Sequence, residues 1–172
     1  MLHRHFRMMA RFNGWANRRL YDAAAKLPEA EYRKKRAAAY FGSIHGTLNH
    51  ILVGDRVWLA RIENRPHGIA RLDQILCDDL PSLRAAREQQ DRAIVELADG
   101  FDEEALAKTR SYTMMSAPGE TTSPLAEMLA TVFNHQTHHR GQVHALLKEA
   151  GAEPPALDIV VYLRDPAEPK VD

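Results

Sequence analysis

"FNHQTHHRGQVH" (Phe133–His144) places four of the chain's nine histidines within twelve residues. The stretch sits inside a longer helical pattern that starts at "TTSPLAEM" (Thr121–Met128) and stops at Gly151, ahead of Pro154 and Pro155. Ser123 is a good N-cap there, Pro124 suits the first helical position, and Glu127 meets the positive end of the dipole. On a wheel of about 100° per residue with Val132 at zero, Leu125, Met128, Leu129, Val143, Leu146 and Leu147 fall within about 60°. On the same wheel His139 lies near −20° and His135 near −60°, while His138 and His144 lie about 120° away on either side. Two histidines therefore face inward, one turn apart, and two face outward. An inward i, i+4 pair can share one metal ion, whereas a lone inward histidine is more often a hydrogen-bonded core residue. Gln142 and Asn134 could orient the rings, or could equally be plain helix surface.

Two imidazoles hold a transition metal weakly, so a third ligand is expected. "IHGTLNHILVGDRVWL" (Ile44–Leu59) offers His45, His50 and Asp55. The stripe around Leu48 takes in Phe41, Ile44, Ile51, Leu52 and Leu59, places Asp55 inward and leaves His45 at its margin. His50 falls nearly opposite, beside Val53 and Val57. A helix that is apolar on both sides can be buried on both, so periodicity leaves all three open.

Three further long helices are predicted, at about Phe6–Leu27, Phe41–Asn64 and Leu80–Asp99. Pro28, "RPHG" (Arg65–Gly68) and Gly100 end them, and Pro81 falls in the first turn of the last. "KTRSYTMMSAPGETTS" (Lys108–Ser123), with a Pro118-Gly119 turn, reads as a short irregular hairpin or a long loop. "ALDIVVYLRD" (Ala156–Asp165) is expected to fold back and cover its apolar run. The expected fold is all-α: an antiparallel four-helix bundle in one domain, residues 1–172, with a long crossover between the third and fourth helices.

Composition narrows the function classes. Hydrophobic residues are 45% and charged residues 27%, ordinary for a globular chain. With 23 basic and 23 acidic side chains there is no net field to recruit nucleic acid or an anionic membrane. The "RKKR" cluster (Arg33–Arg36) reads as a solvated helix-end patch. No signal peptide and no membrane span are expected. Cys77 is the single cysteine and reads as an ordinary small apolar residue, which fits a reducing, cytoplasmic compartment.

"WANRRLYDA" (Trp15–Ala23), "GSIHGTLNHILVGDRVWLARI" (Gly42–Ile62) and "FNHQTHHRGQVHALL" (Phe133–Leu147) together resemble the DinB family of DinB/YfiT-like metalloenzymes. The resemblance spans nearly the whole chain with its motifs in the family's order. It implies a four-helix bundle holding one divalent metal on three histidines, matched here by His50, His135 and His139. The resemblance thus selects His50 where the wheel is silent, and it agrees with the wheel on the other pair. All-nitrogen ligation suits zinc or nickel, and also ferrous iron. Relatives that use low-molecular-weight thiols, or that are proposed hydrolases, imply a metal-dependent enzyme acting on a small molecule. The competing reading is a non-catalytic or stress-responsive bundle whose ion is structural. A DNA-binding role is disfavoured by the neutral charge and the lack of a basic stripe. Asp55 is the best carboxylate for catalysis, though it could simply pair with Arg56 or Arg140. Trp15, Asn17, Tyr21 and Trp58 are candidate pocket walls or plain core. The family resemblance also implies a homodimer, and the apolar tail and first helix could supply the twofold face.

Overall fold

In a computed structural model the first helix, α1 (Leu2–Ala24), begins four residues before the expected Phe6. Glu103 explains the extension, because its carboxylate engages both the Met1 amino group and the His3 ring. The structure describes residues 1–115 and 119–168. After Pro28 comes the single-turn α2 (Glu29–Arg33). Helix α3 (Ile44–Ile62) starts where the Ser43 side chain accepts from the Gly46 amide, three residues past the expected Phe41. Helix α4 (Leu80–Asp99) is capped by Asp79, which accepts from the Ser82 amide at 2.7 Å. A short α5 (Glu103–Ala107) leads to an antiparallel hairpin of β1 (Thr109–Thr113) and β2 (Glu120–Pro124). Then come α6 (Leu125–Glu149) and a final short α7 (Ile159–Arg164).

The fold is a bundle of α1, α3, α4 and α6. One apolar cluster joins the C-terminal halves of α1 and α6 (Leu20, Leu146) to the N-terminal ends of α3 and α4 (Ile44, Leu83). A second joins Phe6 and Met128 to Leu59 and Ile94 at the opposite end. So α1 and α6 run one way and α3 and α4 the other. The connection before α6 (residues 100–124) is long, as expected, but it joins helix ends at one end of the bundle. The lengthwise crossing falls instead to residues 63–79. Ile69 packs against Val53 and Val57, and the Leu76 and Cys77 amides both donate to Asn49 Oδ1. That segment runs back beside α3, and it matters for the site.

Three local expectations change. Ser123 does not cap α6: it lies in β2 opposite Arg110, Pro124 takes the cap position, and the Leu125 amide donates to the Lys108 carbonyl at 2.8 Å. The hairpin's strand pairing therefore serves where a hydroxyl cap would have. The hairpin is more regular than expected, with five paired residues per strand; Pro118 lies outside the described residues. In "RKKR" only Arg33, Lys34 and Lys35 are solvated. Arg36 turns inward to bond the Glu31 carbonyl and, at 2.7 Å, the Glu31 carboxylate. The tail does fold back, docking Tyr162 on Phe12 and Trp15, but Ile159, Val160 and Leu163 stay exposed. No described helix is long and apolar enough to cross a membrane.

Candidate metal centre

Helix α6 carries His135 and His139 one turn apart, and α3, packed antiparallel to it, presents His50 between them. His50 Nε2 lies 3.1 Å from His135 Nε2 and 3.2 Å from His139 Nε2. Metal–nitrogen bonds of about 2.0–2.1 Å place neighbouring ligand atoms roughly 2.9–3.4 Å apart, from octahedral to tetrahedral angles. The spacing fits one ion.

The hydrogen bonds on the far sides of the rings decide which nitrogens are bare. His50 Nδ1 faces the Leu72 carbonyl at 2.7 Å; a carbonyl only accepts, so Nδ1 carries the proton and Nε2 is a lone pair. His139 Nδ1 donates to Gln142 Oε1 at 2.8 Å, and Gln142 Nε2 donates onward to His138 Nε2 at 3.1 Å. His139 Nε2 is therefore bare as well. Two lone pairs face each other at 3.2 Å with no proton to join them. Burial lowers the proton affinity of all three rings, taking His50 to about 4 and His135, with the neighbouring histidines adding to the effect, to about 3. At neutral pH a bridging imidazolium is thus disfavoured, and the three ring nitrogens lie close enough together to hold a cation.

The surroundings hold the rings in place. Phe41 stacks on His50, with centroids 3.6 Å apart and planes 14° from parallel. Asn49 fixes the Leu76–Cys77 backbone, and the same strap supplies the Leu72 carbonyl. Gly54, one turn beyond His50, makes room for the His135 ring: a Cβ there would lie 2.3 Å from His135 Cε1. Sequence reasoning missed both Asn49 and Gly54, although the motif GxLNHxxxG contains them. Gly54→Ala should raise helix propensity by up to about 1 kcal/mol yet displace His135. Metal affinity is then expected to fall at least about tenfold, as when ligand-supporting groups are lost. A competition titration with a chelator checks this, and unchanged affinity would contradict the role given to Gly54.

The other candidates sort cleanly. His45 bonds Tyr32 Oη at 3.0 Å inside the core, away from the cluster. His138 is exposed, and His144 reaches the Pro155 carbonyl at 3.2 Å. Gln142 orients His139 as anticipated, while Asn134 is exposed. Cys77 is half-buried. Asp55 lies five residues after His50, about 140° round the helix, and is fully buried against Arg87 and Gln136. It joins a polar ring through all four long helices. Arg87 bridges Asp55 and Asp91, Asn13 and Asn17 donate to Asp91, and Arg140 reaches Asn13 and Gln136. Burial pushes the Asp55 carboxyl up while Arg87 and Arg140 oppose it. Asp55 therefore pairs chiefly with Arg87 rather than with Arg56, and it does not face the cluster's open side.

That open side is a cavity of about 510 Å³ lined by the three histidines, Phe41, Trp58 and Arg61 among others. Trp58 is the one expected wall that lines it. Asn17 belongs to the polar ring, Tyr21 to the apolar core, and Trp15 to the docking site of the tail, where its indole donates to Asp165 at 3.1 Å.

A family model described as the DinB family matches residues 1–170. Protein DinB of Bacillus subtilis (strain 168) is 26% identical over 164 residues, covering 88% of this chain and 90% of that protein. The crystal structure of a DinB-like protein from Bacillus cereus aligns with a TM-score of 0.64 at 20% identity, covering 83% of this chain and 90% of that one, which shows a shared fold. The histidine cluster, the bundle that carries it and the near-complete family match agree: this chain belongs to the DinB family.

Proposed function

We propose that His50, His135 and His139 hold one divalent transition metal, zinc or nickel, and that the chain is a metal-dependent enzyme acting on a small molecule. The observation that carries this is the pair of unprotonated Nε2 lone pairs held 3.2 Å apart by bonds on their opposite ring nitrogens. Three protein ligands beneath an open cavity favour catalysis over a closed structural site, which normally has four. A bound divalent ion would supply Lewis acidity, lowering the pKa of a donor that reaches it and polarising a carbonyl. Leu72 and Gln142 keep the imidazoles neutral and aimed, while Phe41 shields one face of His50 from water. S-transfer with a low-molecular-weight thiol and hydrolysis both use such a centre.

A cobalt-substituted sample tests the open position. A small thiol or a hydroxamate should change the visible spectrum, because an exchangeable position can be taken whereas a protein ligand leaves only at a cost. No response from either, with four protein side chains on the ion, would favour the structural reading.

Pairing of two chains and a cytoplasmic setting belong to the same proposal. Val160 and Leu163 are about half exposed on α7, next to α1, and Leu2 is exposed at 42%. A twofold contact would cover them. Light scattering should give twice 19.4 kDa, and a value of 19.4 kDa at all concentrations would contradict the dimer.

A further inference from the structure

The structure assigns Arg61 as the anchor for a carboxylate at the far end of the substrate, opposite the metal-binding end. This rests on reading the cavity as the substrate pocket. Arg61 follows His50 by eleven residues, about three turns, so both lie on one face of α3 with backbone positions roughly 16 Å apart. The Arg61 stem points back toward the helix N-terminus and brings the guanidinium closer to the histidines. Both residues line the cavity, and among the described residues no aspartate or glutamate lines it with them.

The guanidinium is fixed rather than free. It lies 4.8 Å from the Trp58 ring centroid and 5.1 Å from that of Tyr112, and it donates one hydrogen bond, at 2.6 Å, to the Thr113 carbonyl. Among the described residues no carboxylate pairs with it, although most arginines here have such a partner or a buried network. An arginine has five N–H donors in a planar fork suited to a carboxylate. Here one donor is used and the plane is already set. Tyr112 comes from β1, so the hairpin's position on the bundle helps fix the guanidinium.

Much of the remaining lining is apolar, Val57, Leu72 and Met114 among it. Three neutral imidazoles leave the charge of an ion uncompensated, and Arg61 adds a second positive charge at a distance. The complementary molecule has a metal-binding donor at one end, a carboxylate at the other, and an apolar spacer of roughly 10 Å; an extended eight-carbon chain has about that length.

The test compares 8-mercaptooctanoate with 8-mercaptooctanamide on the cobalt-loaded chain, following the cobalt–sulfur absorption. The acid should bind roughly ten- to hundredfold more tightly, the scale of a charge-assisted hydrogen-bonded pair. Arg61→Gln should remove the preference and leave the amide unaffected, and Arg61→Lys should restore part of it. Equal binding of the two thiols, or a preference that survives in Arg61→Gln, would overturn the assignment. A second arm needs no metal. In the metal-free chain, octanoate should shift the Arg61 Nε–H resonance, assigned by its loss in Arg61→Lys, and octanamide should not. If neither thiol gives a cobalt–sulfur band but octanoate moves that resonance, the metal reading fails and the anchor stands. If the band forms equally with both thiols and the resonance stays still, the anchor fails and the metal reading stands.

Discussion

Purified protein will carry about one divalent transition metal per chain, and His135→Ala, His139→Ala or His50→Ala will each strip most of it, whereas His138→Ala will not. Two remaining imidazoles bind weakly, and His135→Ala would also leave the bare His50 and His139 Nε2 atoms facing one another. The loss of His50 carries an added consequence. It removes the ligand from α3, so the ion no longer ties α3 to α6, and thermal stability in the presence of metal should fall toward that of the metal-free chain. His138 stands next to His139 in sequence and lies 4.8 Å from it, ring to ring, but faces solvent. Metal analysis of the four variants checks the prediction. Retention by His139→Ala with loss by His138→Ala would reverse the assignment, and release by His45→Ala or Asp55→Ala alone would move the third ligand off His50.

The second large effect lies in the buried polar ring. Arg87 is 2% exposed and bridges two carboxylates, Asp55 at 0% and Asp91 at 8%. Arg87→Met should leave both without their cation in a medium that solvates charge poorly, costing about 3–5 kcal/mol. For a chain of this size that corresponds to a melting temperature roughly 6–20 °C lower. Arg84→Ala, three residues earlier, breaks only solvent-facing pairs with Asp22 and Glu88 and should change stability by about 0–1 kcal/mol. Thermal unfolding of metal-free samples separates the ring from the ion. A melting temperature for Arg87→Met within about 2 °C of the parent would show that the ring does not hold the four helices together.

The two sites differ in how far the sequence reveals them. Helix α6 is legible because one side of it is core and the other is largely solvent, so His139 falls on the apolar stripe and His135 at its edge. Helix α3 is not. Of its 19 residues only four escape burial, because it packs on α6 and α4 while residues 63–79 cover its outer side. A helix covered all round has no stripe, so His45, His50 and Asp55 look alike to a wheel although they serve three different ends. His45 closes a core hydrogen bond, Asp55 an ion-pair ring, and His50 the cluster. Only the family resemblance distinguishes them in advance. The path of the strap was hidden for a related reason: its contacts run through Asn49 Oδ1 and the Leu72 carbonyl, and backbone partners leave no periodic trace. Gly54 was hidden too, since its role is the space left for a ring on another helix.

In the proposed centre three imidazoles from two helices share one ion. Crystals of metal-loaded protein, with anomalous diffraction collected at the metal's absorption edge, test it most directly. A single peak is expected within about 2.0–2.2 Å of the Nε2 atoms of His50, His135 and His139, with its remaining coordination directed into the cavity beside Phe41. A peak elsewhere, or one whose shell includes Cys77, His45 or Asp55 in place of His50, would contradict it.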